Sequence, residues 1–317
     1  MEIFHTPVLL EETIHYLAPR KESELMVDAT LGEGGHGGAF LERFPTLRLV
    51  GIDADEEIQE RARRRLDKYG DRVRYYTCWS QDFFASYPAE LDKPDTILFD
   101  LGISLYHYEK SNRGFSFLRD EYLDMRIDRS RGKTAADLIA SLGEKELADL
   151  LYSQGGERYS RRIAAALGAA KKRSPVTTTA SLADLVSSSV PAAYRRGPIH
   201  PATRTFMALR IAVNGEVEGL PGLLENALGA LKTGGRMGVI SFHSGEDREV
   251  KRFFRQKNKD CICPPEAPIC RCGGIRGVNI LTRKVVCAGE DECRKNPPSR
   301  SAKFRAVEKI HDSGVHL

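Results

Sequence analysis

Three apolar runs that each end in an aspartate constrain the fold of this 317-residue chain more than any other feature. They are Leu25–Asp28, residues 47–53 closing on Asp53, and Thr96–Asp100, with residues 73–76 reading as a further strand between the last two. Helix-like segments separate them, over 35–44 and over 56–68, where an R-A-R-R-R face begins at Arg61. Strands that alternate with helices form a parallel sheet, and such a sheet binds its ligands beyond the carboxyl ends of its strands. All three aspartates fall at those ends.

The alternation does not run through the whole sequence. Upstream, Thr6-Pro7 reads as the opening of a helix that reaches about Leu17, with a hydroxyl able to cap and a proline at the first helical position. Residues 108–131 have no sustained period, and 134–190 read as helical throughout, with a capping box at Ser141-Leu-Gly-Glu144 and stops at Pro175 and Pro191. Helices over 201–213 and 216–231, the turn Thr233-Gly-Gly235, a strand over 236–242, a helix over 247–257 and a strand near 303–307 restore the pattern. The expected organisation is an α/β domain built from 1–107 and 200–317, interrupted by an all-helical insertion over 108–199. Two domains also suit the length. With 41% hydrophobic and 29% charged residues the chain is neither disordered nor fibrous. No window approaches the roughly 18 apolar residues of a membrane span, and the N-terminus lacks a basic stretch leading into an apolar one. These features predict a cytoplasmic protein with no membrane partner.

The loop after the first strand, Asp28-Ala-Thr-Leu-Gly-Glu-Gly-Gly-His-Gly37, opens a helix. Gly32, Gly34 and Gly37 satisfy G-x-G-x-x-G with Asp53 downstream, so an NAD(P)-dependent oxidoreductase is one reading. Two features favour S-adenosylmethionine. Asp28 would repel a pyrophosphate but can accept from the ammonium of a methionine moiety, and the third acid-ended strand supplies a place where sulfonium and methyl acceptor meet. Asp53 would take both ribose hydroxyls, because a carboxylate presents acceptors to two vicinal donors. Its neighbour Asp55 is expected to cap the next helix.

The net charge is only +4, but ten Lys or Arg stand against three acids between Arg248 and Lys284. A basic patch that meets a polyanion is one reading of that segment, and a solvated helix face is the other. It contains Cys261, Cys263, Cys270 and Cys272, four thiols close enough in sequence to hold a structural zinc in a reducing compartment. A non-catalytic zinc protein that binds RNA is therefore a third functional class. Cys78, Cys287 and Cys293 read as structural.

Several strings resemble one family in order along almost the whole chain. They are His5-Thr-Pro-Val-Leu-Leu10; Gly34-Gly-His36; Asp100-Leu-Gly-Ile103; Arg113-Gly-Phe-Ser-Phe117; Leu123-Asp-Met-Arg126; Gly156-Glu-Arg158; His200-Pro-Ala-Thr-Arg-Thr-Phe206; Ile240-Ser-Phe-His-Ser244 with Glu246-Asp-Arg248; and Asn296-Pro with Arg300-Ser-Ala302. The chain resembles the RsmH (MraW) family of 16S rRNA cytosine-N4-methyltransferases. The resemblance implies a Rossmann-like S-adenosylmethionine-dependent methyltransferase sheet with an inserted helical domain for substrate recognition. It further implies N4-methylation of a cytidine in the decoding centre, near the P site, of the small ribosomal subunit. Carried over by position, it implies that Gly34, Gly35, His36, Asp53 and Asp100 contact the cofactor, with Ser80 and His107 at two further contact positions. The chain departs from the family pattern at Ser80, Leu105, His107, Met207 and Gly245.

Methylating cytosine N4 asks an amine with a delocalised lone pair to attack a sulfonium carbon in line, so alignment and a proton acceptor matter more than a strong base. Asp100 is the expected catalytic residue, with His243 and Ser241 as further candidates on the next strand end. RNA-directed enzymes stack a splayed-out base on an aromatic ring, for which Phe115, Phe117 and Phe242 are available. Arg113, Arg126, Arg158 and Arg204 are candidate phosphate contacts. The expected partner is 16S rRNA or the small subunit, and a homodimer is allowed.

Overall fold

The computed structural model describes residues 6–260 and 276–311. Among these, eight strands form one sheet: β1 (Leu25–Asp28), β2 (Arg48–Asp53), β3 (Val73–Thr77), β4 (Thr96–Asp100), β5 (Arg236–Ser241), β6 (Val278–Ile280), β7 (Val286–Cys287) and β8 (Lys303–Lys309). Their spatial order is β3-β2-β1-β4-β5-β8-β6, with β7 also paired to β8. The first five are mutually parallel, and β8 runs antiparallel to β5, β6 and β7. This is the α/β, Rossmann-like class that was expected. The order reverses between β1 and β4, the place where open parallel sheets leave a ligand crevice.

The sequence of the strands explains why both sheet faces are covered. Successive side chains alternate, yet nearly every position is apolar, as in strands buried on both sides. Val27, Ile52, Ile97, Phe99 and Val239 enter one core, closed by Leu224 and Leu228 of the Leu220–Ala230 helix and by Phe253 and Phe254 of the Ser244–Lys257 helix. Met26, Leu49, Leu98 and Ile240 enter the other, closed by Leu17 of the Leu10–Leu17 helix, Phe40 of Gly35–Arg43 and Leu66 of Glu56–Leu66.

The chain divides into two compact units, one comprising Met1–Ile103 with Glu218–Leu317 and the other Ser104–Val217. The second unit holds the helices Leu105–Glu109, Ala135–Ser141, Glu144–Gly155, Ser160–Lys171, Thr179–Ser189, Ala192–Arg195 and Thr203–Asn214. The expected return to the α/β domain at residue 200 is thus corrected. The Thr203–Asn214 helix packs on Glu144–Gly155, close enough that a Cβ on Gly155 would lie 2.4 Å from the Arg204 carbonyl oxygen. Two local expectations also change. The first helix starts at Leu10 rather than at Pro7, because Leu9 takes a left-handed conformation (φ 50°) and its N–H donates to Glu292. The capping box lies at Thr134 and Asp137, while Ser141 ends its helix instead of opening one. No helix among the described residues is long and apolar enough to cross a membrane.

Candidate active site

Because β1, β2 and β4 are parallel, Asp28, Asp53 and Asp100 emerge along one edge of the sheet. The loop from Ala29 to Gly34 crosses that edge before the Gly35–Arg43 helix begins. Its third motif glycine is needed for packing, since a Cβ on Gly37 would come within 2.7 Å of Leu49 and 3.3 Å of Asp28 Oδ2. The first amides of this helix have no acceptor within the helix and, with the dipole, favour an anionic group.

Each aspartate has a different environment. Asp28 is 1% exposed, and its two oxygens accept the N–H groups of Thr30 (3.4 Å) and Gly37 (3.2 Å). Burial pushes its carboxyl up to about 7, against the opposing pull of those two amides, with the Asp53 charge adding to the rise. Expected to receive the cofactor's ammonium, Asp28 instead anchors the loop from beneath. Asp53 accepts from the amides of Gly32 and Asp55, both at 2.9 Å, which fixes both carboxylate oxygens at the strand end. Asp55 caps the Glu56–Leu66 helix through Glu57 N–H, as its position in the sequence implied.

Asp100 keeps one carboxyl oxygen without a hydrogen-bond partner among the described residues. Its N–H donates to Thr30 Oγ1 at 2.6 Å, and its Oδ2 lies 3.4 Å from His36 Nδ1. Its Oδ1 is buried and has no hydrogen-bond partner in the described structure. Desolvation, then the charges of Asp28 and Glu246, hold the Asp100 carboxyl well above the usual carboxylate range. His36 is itself buried, with Nε2 2.9 Å from the Val8 carbonyl oxygen, and burial brings its ring down to about 4. Both ring nitrogens are therefore engaged within the protein, which leaves the backbone of the Gly34-Gly-His36 turn as the part that can meet a ligand.

Around these acids, Ser80 donates its hydroxyl to the Ala29 carbonyl and braces the glycine loop. The preceding residue, Trp79, went unremarked in the sequence. It stands half-buried just past β3, beside Cys78, whose N–H donates to the Asp53 carbonyl at 3.0 Å. Its signal was available, since it is the only tryptophan and follows the strand next to Asp53. Phe242 lies at the end of β5, its ring so close to Gly102 that a Cβ there would sit 3.0 Å away.

His243 and Ser241, expected as catalytic candidates, both make contacts that hold the fold, and His243 also keeps a buried Nε2 with no hydrogen-bond partner among the described residues, 3.2 Å from Glu246 Oε1. His243 is the N-cap of the Ser244–Lys257 helix: Nδ1 accepts from the amides of Gly245 (3.2 Å) and Glu246 (3.4 Å), while Glu246 Oε2 accepts from the amide of Phe242 (2.9 Å). Ser241 is 2% exposed and reaches the Lys303 carbonyl on β8 at 3.4 Å.

The remaining expected residues, the cysteines apart, belong to the second unit. His107 is buried, its ring edge-on to Phe115 at 5.2 Å, and Phe115 is core rather than platform. Arg113 is buried and donates to the Ile127 carbonyl, and Arg126 is locked on both oxygens of Asp124 (2.6 and 3.2 Å). Both arginines thus have structural work in place of the expected phosphate contact. Phe117 stacks on His200, with centroids 4.5 Å apart. Arg204 and Arg158 line a cavity of about 340 Å³ together with Tyr159, Tyr194, Ile199 and His200. Tyr194 organises it, receiving Arg204 at 3.2 Å and donating to the fully buried Glu157 at 2.9 Å. Cys261, Cys263, Cys270 and Cys272 lie outside the described residues, while Cys78, Cys287 and Cys293 form no disulfide among the described residues.

Comparison with known proteins adds to this geometry. The chain is 51% identical over 310 residues to a ribosomal RNA small subunit methyltransferase H of Treponema denticola, covering 98% of each. It is 47% identical over 311 residues to the protein of the same name from Syntrophobacter fumaroxidans, covering 96% of each. Among solved structures, an rRNA methylase from Streptococcus thermophilus aligns over 95% of this chain and 94% of its own, at 9% identity and a TM-score of 0.41. The profile of the MraW methylase family matches residues 2–310, and the chain belongs to that family.

Proposed function

We propose that this chain transfers the methyl group of S-adenosylmethionine to N4 of a cytidine in the decoding centre of 16S rRNA, in the cytoplasm. Membership of the MraW methylase family favours this reading over the oxidoreductase and the non-catalytic ones. The observation that carries the site assignment is Asp100, a carboxyl at the strand end beside the order reversal with one buried oxygen unpartnered. With Oδ1 sealed from solvent, the 24% of the side chain that stays exposed is the part a ligand donor can meet.

When bound, S-adenosylmethionine supplies an electrophilic methyl carbon on a sulfonium. The amides of Gly35 and His36 at the helix start suit its carboxylate. Asp53, whose two oxygens accept backbone amides at the β2 end, is the acceptor we assign to the ribose hydroxyls. We assign Trp79, half-buried just past β3, to the adenine side of the site. Phe242 is the ring available to stack on the cytosine, and Asp100 accepts the proton that N4 sheds as the N–C bond forms. The Arg158, Tyr194 and Arg204 cavity of the second unit suits a nucleotide of the same RNA, with guanidinium groups for phosphate and rings for a base.

The test is incubation with methyl-labelled S-adenosylmethionine and small subunits lacking the modification, then nuclease digestion and mass spectrometry of the nucleosides. Label in N4-methylcytidine from one decoding-centre position is expected. Label on a ribose, on cytosine C5 or at scattered positions would overturn the assignment.

A further inference from the structure

His36 and Asp100 form a pair whose proton arrangement follows from their surroundings. The Val8 carbonyl at 2.9 Å can only accept, so Nε2 of His36 carries the hydrogen. In the neutral ring Nδ1 then presents a lone pair, and Asp100 Oδ2 lies 3.4 Å from it. A carboxylate oxygen facing a lone pair is a contact between two acceptors. A protonated carboxyl there is a donor facing an acceptor.

The two oxygens of Asp100 are not equivalent. Oδ1 is buried, whereas the side chain as a whole keeps 24% exposure, so a proton from a substrate can reach only Oδ2. That is the oxygen His36 faces. We propose that His36 is a positioning residue for methyl transfer: its Nδ1 lone pair accepts a hydrogen bond from Asp100 once Oδ2 has taken the proton of the substrate amine.

The step balances without any further reactant. The N4 lone pair forms the new N–C bond, the C–S electron pair returns to sulfur, the N4–H pair stays on nitrogen, and the proton passes to Oδ2. His36 neither gains nor loses a proton; it makes the acid form of Asp100 more favourable and the carboxylate form less so. The other charged groups bearing on Asp100 act in the same direction. They are Asp28 on β1 and Glu246 on the Ser244–Lys257 helix, both acidic. Val8 is the anchor of the arrangement, which gives a use to the non-helical backbone of residues 6–9.

This inference rests on the reading of Asp100 as proton acceptor, but its test does not require turnover. In the full chain without cofactor, carbon-13 NMR of labelled aspartate, assigned with Asp100→Asn, follows the Asp100 carboxyl against pH. His36→Gln replaces a nitrogen that can only accept with an amide whose NH2 can donate to the carboxylate, so the Asp100 midpoint should move toward acid by about one pH unit or more, the size expected for one hydrogen bond to a charged group. The acid limb of the single-turnover rate should move with it. An unchanged midpoint in a folded variant would overturn the proposal. If the variant does not fold, nitrogen-15 shifts of the wild-type ring decide: a neutral Nε2–H tautomer whose Nδ1 resonance follows the Asp100 titration is expected, and an Nδ1–H tautomer would contradict it. Should Asp100→Asn transfer methyl groups at full rate while this coupling is observed, the proton-acceptor reading fails and the pairing stands.

Discussion

Single residues in this protein do different work from the work their type and position suggest. The three strand-end aspartates look alike in the sequence, yet Asp28 is sealed beneath the loop, Asp53 is oriented by two amides and Asp100 keeps an unpartnered oxygen. The strand ends were legible because a parallel strand stops where its apolar run stops. The differences were not, because they depend on loop amides and on Val8, whose contact with His36 spans 28 residues. Asp28 carries a consequence for stability. Its folded carboxyl titrates near 7, above the ordinary value of 3.8, so the folded state binds the proton more tightly than the unfolded one. Stability from this group is present at low pH and is lost as pH rises toward 7. Between about pH 5 and pH 8, wild type should lose about 2–3 kcal/mol relative to Asp28→Asn, since one unit is worth about 1.4 kcal/mol. Urea denaturation at both values checks this; parallel pH dependence of the two proteins would contradict it.

At the scale of elements, what a local pattern reveals is whether a helix or strand exists and how it starts, and the caps illustrate both success and failure. Asp55 was legible as a cap because its side chain meets an amide two residues away. His243 followed by Glu246 carries the spacing of a capping box, but an imidazole in a ligand-facing strand end invites a catalytic reading instead. Its Nδ1 is committed to two amides, so the histidine should be replaceable by another good cap. His243→Asn should keep both stability and methyl transfer near wild type, whereas His243→Ala should lose about 1 kcal/mol of stability with little change in single-turnover rate. A collapse of the rate in a stable His243→Asn protein would restore a chemical role. The allegiance of the Thr203–Asn214 helix was also hidden, because an amphipathic period shows that a face is buried without showing which core buries it.

For the whole molecule, the family fold could be anticipated, while the internal partners of the second unit's arginines could not. Arg113 and Arg126, read as phosphate contacts, serve the internal bonding of the second unit, and Arg158 and Arg204 line its cavity. Replacing Arg158 and Arg204 together by alanine should weaken rRNA binding and lower the log–log salt slope by about 1.5, at ~0.7–0.9 per lost phosphate contact. Affinity for S-adenosylmethionine should not change. Filter binding over a range of salt, with calorimetry for the cofactor, measures both; an unaltered slope would make the cavity structural.

The most direct measurement compares Asp100→Asn with wild type in cofactor affinity and in the single-turnover rate of methyl transfer to the small subunit. The amide keeps size and polarity but cannot take the proton from N4, so the rate should fall by about 100-fold or more, the usual share of a positioned general base, while affinity changes only a few-fold. Equal losses in the two would make Asp100 a cofactor ligand alone, and an undiminished rate would remove the β4 strand end from the chemistry.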